Sequence, residues 1–388
     1  MRHKRLAIIT THPIQYYAPL FQLLNERKNI DIKVFYTWER EAAAHDVDFG
    51  KTVEWDIPLL DGYDYQFVSN NGNLSRDFRG VKNPGLNREI EEWGADAILV
   101  FGWNYHSHLK AMRYFKNKIP VLFRGDSTLL DERPGIKQLL RRCFLRWVYR
   151  FIDIAVYVGT NNKNYFRIHG VKERQLVFGP HAIDNKRFYD GDGSYGEEAL
   201  KDRKKLGIPD EDIVWVFVGK FQDKKDPQIL IRAFNEPENA DAHLLIVGDG
   251  VLEQSLKEMA KGNEKIHFLP FQNQSKMPVI YRMGDIFCLP SRGPGDTWGL
   301  SVNEAMACKS PVLVSDRCGC APDLVFDGKN GYIFAAGNME QLLDKMRAFP
   351  KDIQGLRKMG ENSATIIQNW SYDQLAPVLE KLMLSEHA

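Results

Sequence analysis

The stretch Leu289-Pro-Ser-Arg-Gly-Pro-Gly-Asp-Thr-Trp-Gly-Leu-Ser-Val-Asn-Glu-Ala-Met-Ala-Cys-Lys-Ser-Pro-Val-Leu-Val-Ser315 decides the fold. It continues an apolar run of strand length, Ile286-Phe-Cys-Leu289, and then breaks into a Pro/Gly-rich loop that no regular element can cross. A helix is predicted from about Trp298–Gly299, with Leu300, Val302, Met306 and Ala307 as its apolar positions, and residues 311–314 read as the next strand. Strand, loop, helix and strand at these lengths make one βαβ unit of a parallel sheet. Ligands of such sheets sit at the carboxyl ends of the strands, where this loop lies. Two acids frame the loop, Asp296 before the helix and Glu304 eight residues later. The amides of Thr297, Trp298, Gly299 and Leu300 open the helix and suit an anion such as a diphosphate. Carboxylates repel phosphate, so Asp296 and Glu304 fit better as acceptors for hydroxyls of a sugar and a ribose. The plain alternative is that Asp296 caps the helix and Glu304 complements its dipole; on these residues alone that alternative is the stronger.

The motif shifts the balance. Asp296-x7-Glu304, with Trp298-Gly299-Leu300 inside it and Glu304-Ala-Met-Ala307 and Pro311-Val312 after it, resembles the Glu-x7-Glu signature of retaining glycosyltransferases of family 4, the glycosyl transferases group 1. Here Asp replaces the first Glu and Trp replaces a Phe; the shorter acid loses about one methylene of reach, which bears on sugar choice. The resemblance implies that Glu304 holds a ribose, and that Asp296 with the amides of Thr297 to Gly299 holds the donor sugar. It also implies that Lys220 and Lys225, in Gly219-Lys-Phe-Gln-Asp-Lys-Lys225, stabilise the departing diphosphate. Read from the residues, that basic run is equally a solvated lysine cluster. Val247-Gly-Asp-Gly250 matches a family segment near the donor nucleotide, which brings in Gly248, and the loop holding Phe271 matches the one that receives the base. As a dinucleotide fingerprint Val247–Gly250 is weak, because Glu253 stands where a third glycine belongs. Asp323 takes the place of another common family Glu, or caps a helix.

Length and alternation set the frame. At 388 residues two domains are expected. Strands are predicted at 6–10, 32–36, 97–101, 121–124, 154–158 and 176–178, with helices between them. A Gly-rich connection at 191–196 is followed by a second series at 214–219, 243–247, 266–269, 286–289, 312–314 and 332–334. Residues 39–79 read as irregular or short-stranded insertions. The expected fold class is α/β, two Rossmann-like doubly wound parallel-sheet domains facing a cleft, the GT-B architecture of the family. Residues 1–190 would form the acceptor side and 191–370 the donor side, with 371–388 crossing back as a helix.

In the first half, His12, Gln15 and Tyr16 occupy the first strand-to-helix loop and are assigned to the acceptor or cleft, although the family's Gly-Gly pair is missing there. Arg124 ends the fourth strand and Asp126 follows it. Asp126 falls where family members often carry a His against the transferred sugar, with Arg124 beside it; an Asp capping a turn is the competing reading.

Composition excludes more than it names. A net charge of +1 gives no reason to expect nucleic acid. Five cysteines form no CxxC pair, which suits a reducing, cytoplasmic setting, and Cys318-x-Cys320 has no matching second pair for a metal. Asp190-Gly-Asp192 matches a DxD metal motif but lies in the connection and is discounted; the family resemblance implies chemistry with no metal or other cofactor beyond the nucleotide-sugar co-substrate. No run approaches the ~20 apolar residues of a membrane span. Arg141, Arg142, Arg146 and Arg150 interleave with apolar residues. That pattern reads first as a core-facing stripe with arginines outside, and second as a peripheral membrane contact. The expected activity is transfer of a hexose-type sugar from a UDP-linked (rather than GDP-linked) donor to a hydroxyl of a sugar or lipid-linked acceptor. The alternatives are an epimerase or phosphorylase of the same architecture, or a non-catalytic nucleotide-sugar binder.

Overall fold

The computed structural model describes residues 3–384 except 39–44, 47–50, 53, 74, 76 and 240. The chain forms two units, one running to Pro180 and taking in the segment from Tyr372 onward, the other running from His181 to Ser371.

The first unit holds a seven-stranded sheet in the order Asp64–Phe67, Asp31–Tyr36, Arg5–Thr10, Ala97–Phe101, Val121–Arg124, Ile154–Tyr157, Leu176–Phe178. All neighbours are parallel, with Ile8 opposite Val34 on one side and Leu99 on the other. The central strands are unbroken apolar runs because both of their faces are buried. On one face Ile9, Val100 and Phe123 pack with Phe115, Leu145 and Phe166 from three helices. Strand order reverses between Arg5–Thr10 and Ala97–Phe101, so the loops after these two strands open at a switch point.

Two expectations change here. Within 39–79, part of which lies outside the described residues, Asp64–Phe67 is an edge strand of the main sheet rather than an insertion. Its Asp-Tyr-Gln-Phe sequence carries no apolar run; what docks it is aromatic contact of Tyr65 and Phe67 with Tyr36, at 6.2 and 5.2 Å between ring centres. The basic helix Ile136–Tyr149 turns only Leu145, Val148 and Tyr149 into the core, while Ile136, Leu139, Leu140, Phe144 and Trp147 are exposed. Helical periodicity marks an apolar stripe but cannot say which of two stripes meets the sheet.

The helix Tyr372–Leu384 is bound to the first unit. Tyr372 donates its hydroxyl to the Tyr16 carbonyl at 2.8 Å, and the buried Glu380 accepts both Nε and Nη2 of Arg27, at 2.7 and 2.8 Å. Chiefly through that hydrogen bonding, Arg27 holds the Glu380 carboxyl below its usual range. Arg27→Ala is expected to cost roughly 2 kcal/mol in urea unfolding near neutral pH, since a buried carboxylate loses a charge-assisted bidentate partner. A depressed folded pKa stabilises above the unfolded carboxyl pKa, and that stabilisation is lost as pH falls through the folded value. The gap between wild type and variant therefore closes in acid.

The second unit holds a six-stranded parallel sheet in the order Ile266–Leu269, His243–Val247, Val214–Val218, Ile286–Leu289, Val312–Ser315, Gly331–Phe334. The deciding stretch forms the predicted βαβ unit, its helix running Leu300–Ala307 between Ile286–Leu289 and Val312–Ser315. Strand order reverses between Val214–Val218 and Ile286–Leu289. The loops after those two strands, 219–225 and 290–299, are the two that carry Lys220, Lys225 and Asp296.

Candidate active site

The two loops at the second unit's switch point are tied by charge. Lys225, in the turn Asp223–Lys225, places Nζ 2.8 Å from Asp296 Oδ2, and the Ser291 hydroxyl donates to the same oxygen. The Arg292 amide donates to the Lys224 carbonyl at 2.9 Å, and the Arg292 guanidinium reaches the Asp223 carbonyl at 3.0 Å. Burial opposes the charge on Asp296, but Lys225, by charge and hydrogen bond, and the Ser291 hydroxyl more than offset it. The carboxyl therefore stays below its ordinary range. The result is an ionised acid beside an ammonium at the carboxyl ends of adjacent strands, a pairing suited to a ligand with both hydroxyls and negative charge.

Close backbone approaches shape the rest. Gly248 has φ of 145°, and a Cβ there would sit 2.1 Å from the Gly219 carbonyl oxygen, so only glycine lets the loops after Val214–Val218 and His243–Val247 cross. Their contact is closed by Phe221 N–H donating to the Asp249 carbonyl at 2.8 Å. A Cβ on Gly319 would collide with the Thr297 carbonyl. That residue instead donates its amide to the Asp296 carbonyl at 3.2 Å and pins the loop ahead of the helix. Lys220, half-buried, follows Gly219 at the end of Val214–Val218. Phe271 is half-buried in the loop after Ile266–Leu269.

Glu304 lies in the second turn of Leu300–Ala307, buried, and accepts the Tyr281 hydroxyl at 2.6 Å. A carboxylate offers about four acceptor positions, more than one hydroxyl can fill. The Trp298 indole points into the core. Its Nε1 donates to Asn303 at 2.9 Å, and its ring lies 5.1 Å from that of Trp370 and 5.5 Å from His181. Only the Trp298 backbone is left to face a ligand beside Thr297, Gly299 and Leu300. Ser291 and Tyr281 went unnoticed in the sequence. Ser291 sits inside the quoted Leu-Pro-Ser run, where the approach of its hydroxyl to Asp296 had no periodic signal, and Tyr281 comes from a different helix.

In the first unit, His12 stacks on Trp38 at 5.1 Å and shares a 2.9 Å hydrogen bond with Thr11. With Gln15 and Tyr16 it belongs to the loop at that unit's switch point. Arg124 is buried and donates to the carbonyls of Gly179 and Pro180 at 2.9 and 2.8 Å, acting as a strut at the end of its strand. Burial pulls the Arg124 guanidinium down to about 10, partly countered by Tyr17 and Asp126. Burial first, and then Asp126, pushes Tyr17 up to about 12. Asp126 also lines a cavity of about 350 Å³ with Asn104, Ser127, Arg141 and Tyr165. Among the described residues no group of three or more His, Cys, Asp or Glu side chains is placed to hold a metal ion.

Comparison with known proteins follows the same line. Residues 198–365 match the family described as Glycosyl transferases group 1. The chain is 25% identical over 251 residues to N-acetyl-alpha-D-glucosaminyl L-malate synthase of Bacillus anthracis, covering 63% of this chain and 61% of the relative. It is 27% identical over 255 residues to a GDP-mannose-dependent alpha-(1-6)-phosphatidylinositol monomannoside mannosyltransferase of Mycolicibacterium smegmatis, covering 62% and 65%. The chain therefore spans less than two thirds of the length of these curated relatives. Among solved structures it is similar to Anabaena HepE in complex with UDP, with TM-score 0.72, 17% identity, and 98% of this chain and 99% of that one covered. It is also similar to WaaG, a glycosyltransferase involved in lipopolysaccharide biosynthesis, with TM-score 0.66, 17% identity, and 98% and 100% covered. At such identities the structures speak for fold, and the family match speaks for the unit that holds the Lys225–Asp296 pair. Residues 198–365 are a glycosyl transferases group 1 domain, carried in a chain with the GT-B fold.

Proposed function

We propose that this protein is a glycosyltransferase that moves a hexose-type sugar from a nucleotide-sugar donor to a hydroxyl of a sugar or lipid-linked acceptor, with retention at the anomeric carbon. The observation that carries the reading is the Lys225–Asp296–Ser291 cluster at the switch point of the group 1 domain. Asp296 accepts from the donor sugar's hydroxyls, Glu304 from the ribose, and the amides from Thr297 to Leu300 with Lys220 and Lys225 take the diphosphate. Gly219 and Gly248 let the backbone approach the nucleotide, and Phe271 meets the base. His12, Gln15 and Tyr16 are assigned to the acceptor, and Asp126 to a sugar hydroxyl.

In the transfer step the acceptor oxygen bonds to the anomeric carbon on the face from which the diphosphate leaves. The carbon–oxygen bond to the β-phosphate breaks, and the acceptor's proton passes to a departing phosphate oxygen. Charge on the nucleoside diphosphate grows as that bond breaks, and the two lysines and the helix end answer it without a metal. Uridine is the nucleotide proposed, in keeping with the UDP bound by the HepE structure; the GDP-mannose-dependent relative keeps guanosine as the second reading.

A thermal-shift panel of UDP and GDP sugars, followed by product analysis with and without sugar or lipid-linked acceptors, tests this. Stabilisation by a UDP sugar and acceptor-dependent release of UDP are expected, unchanged by a chelator. Epimerised donor without acceptor, phosphate-dependent cleavage, or tight donor binding with no turnover would each replace the transferase reading. Loss of turnover on chelation, restored by manganese, would overturn the metal-free step.

A further inference from the structure

The helix Ile136–Tyr149 has two apolar faces. One, Leu145, Val148 and Tyr149, is buried, with the Tyr149 ring 5.6 Å from Phe123 and 5.4 Å from Phe166. The other follows the i, i+3, i+4, i+7 spacing through Ile136, Leu139, Leu140, Cys143, Phe144 and Trp147 and points away from the core. Leu139 and Leu140 are 63% and 65% exposed, far more than two adjacent leucines show without a reason. The face continues into an open, largely apolar cavity of about 710 Å³ whose lining includes Trp103, Leu109, Phe144 and Trp147 together with His106, Lys110 and Arg113.

Charge says what meets this face. From Arg133 to Arg150 the chain carries six cations and no acid, in a protein whose net charge is only +1. Arg142 pairs with Glu132 at 3.3 Å, while Lys137, Arg141, Arg146 and Arg150 are exposed around the apolar stripe. Arg113 lies 5.5 Å from the Trp147 ring centre, adding a cation at the rim. We propose that this face docks the protein on an anionic phospholipid bilayer, its apolar side chains entering the headgroup boundary and its cations meeting lipid phosphates. A second copy is the poorer occupant, because a two-fold interface would bring the same cationic rim against itself. The bilayer offers both an apolar depth and the opposite charge. The variants that test docking leave the residues assigned to sugar transfer unchanged, so either proposal can fail without the other.

Sedimentation of the full chain with vesicles tests it. Binding to equal parts phosphatidylcholine and phosphatidylglycerol, weakened by salt, is expected, with little binding to phosphatidylcholine alone. Leu139→Asp with Leu140→Asp should lower partition at least about tenfold with unfolding and donor binding unchanged, since both side chains are solvent-exposed. Arg146→Glu with Arg150→Glu should lower partition onto the anionic vesicles by roughly tenfold or more. Equal partition onto both vesicle types, unchanged partition in either double variant, or a dimer that the leucine variant dissolves would overturn the proposal.

Discussion

Glu304→Ala is expected to abolish nucleotide-sugar binding, read as loss of the thermal shift produced by the donor and loss of turnover. Glu304 is buried in the second turn of the helix that opens at the switch-point loop, and its carboxylate already accepts the Tyr281 hydroxyl at 2.6 Å. Removing it has two consequences that must be separated. The Tyr281 hydroxyl, buried, loses its acceptor, which costs roughly 1–3 kcal/mol of stability. On the proposed reading, a bound ribose also loses a charged hydrogen-bond acceptor. Tyr281→Phe separates them: it removes the same hydrogen bond while keeping the carboxylate. If Tyr281→Phe matches the stability loss yet binds donor, and Glu304→Ala does not bind, the carboxylate acts on the ligand. Equal donor affinity in Glu304→Ala and wild type would remove the ribose role and leave Glu304 a structural residue that holds Tyr281.

Lys225→Ala is expected to lower turnover by roughly one to three orders of magnitude, the usual consequence of deleting one charge-stabilising group. It should also destabilise the fold by about 3 kcal/mol, because Asp296, buried, is left without the ammonium at 2.8 Å. Adding Asp296→Asn removes the stranded charge and should recover most of that stability without recovering turnover. The titration of Asp296 supplies a second readout. Burial raises its carboxyl and Lys225 is the main influence lowering it, so in Lys225→Ala the carboxyl rises. A depressed folded pKa contributes stability above the unfolded value and loses it as pH falls through the folded one. The variant's stability deficit should therefore shrink as pH falls and Asp296 takes up a proton, while donor binding that needs the carboxylate is lost at higher pH than in wild type. Unchanged turnover in Lys225→Ala would clear this lysine of any part in the chemistry.

The alternation of strands and helices was legible because parallel strands buried on both faces must be apolar throughout, as in Ala97–Phe101 and His243–Val247. The turn residues around 290–299 likewise announced a loop at a strand's carboxyl end. Asp64–Phe67 was illegible for the opposite reason: an edge strand with one solvated side has no apolar run, and its place depends on rings contributed by Tyr36.

By itself, then, the sequence determined two doubly wound parallel sheets, the loops that carry Lys220, Lys225 and Asp296, and the helix that carries Glu304, because local periodicity and turn chemistry are written in neighbouring residues. Only the tertiary structure decided that Lys225 meets Asp296 across 71 positions of chain, that Tyr281 holds Glu304, and that Arg124 spends its guanidinium on two carbonyls. It also decided which apolar face of Ile136–Tyr149 looks outward. Partners far apart in the chain are chosen by how sheets and helices pack, and no local pattern encodes that choice.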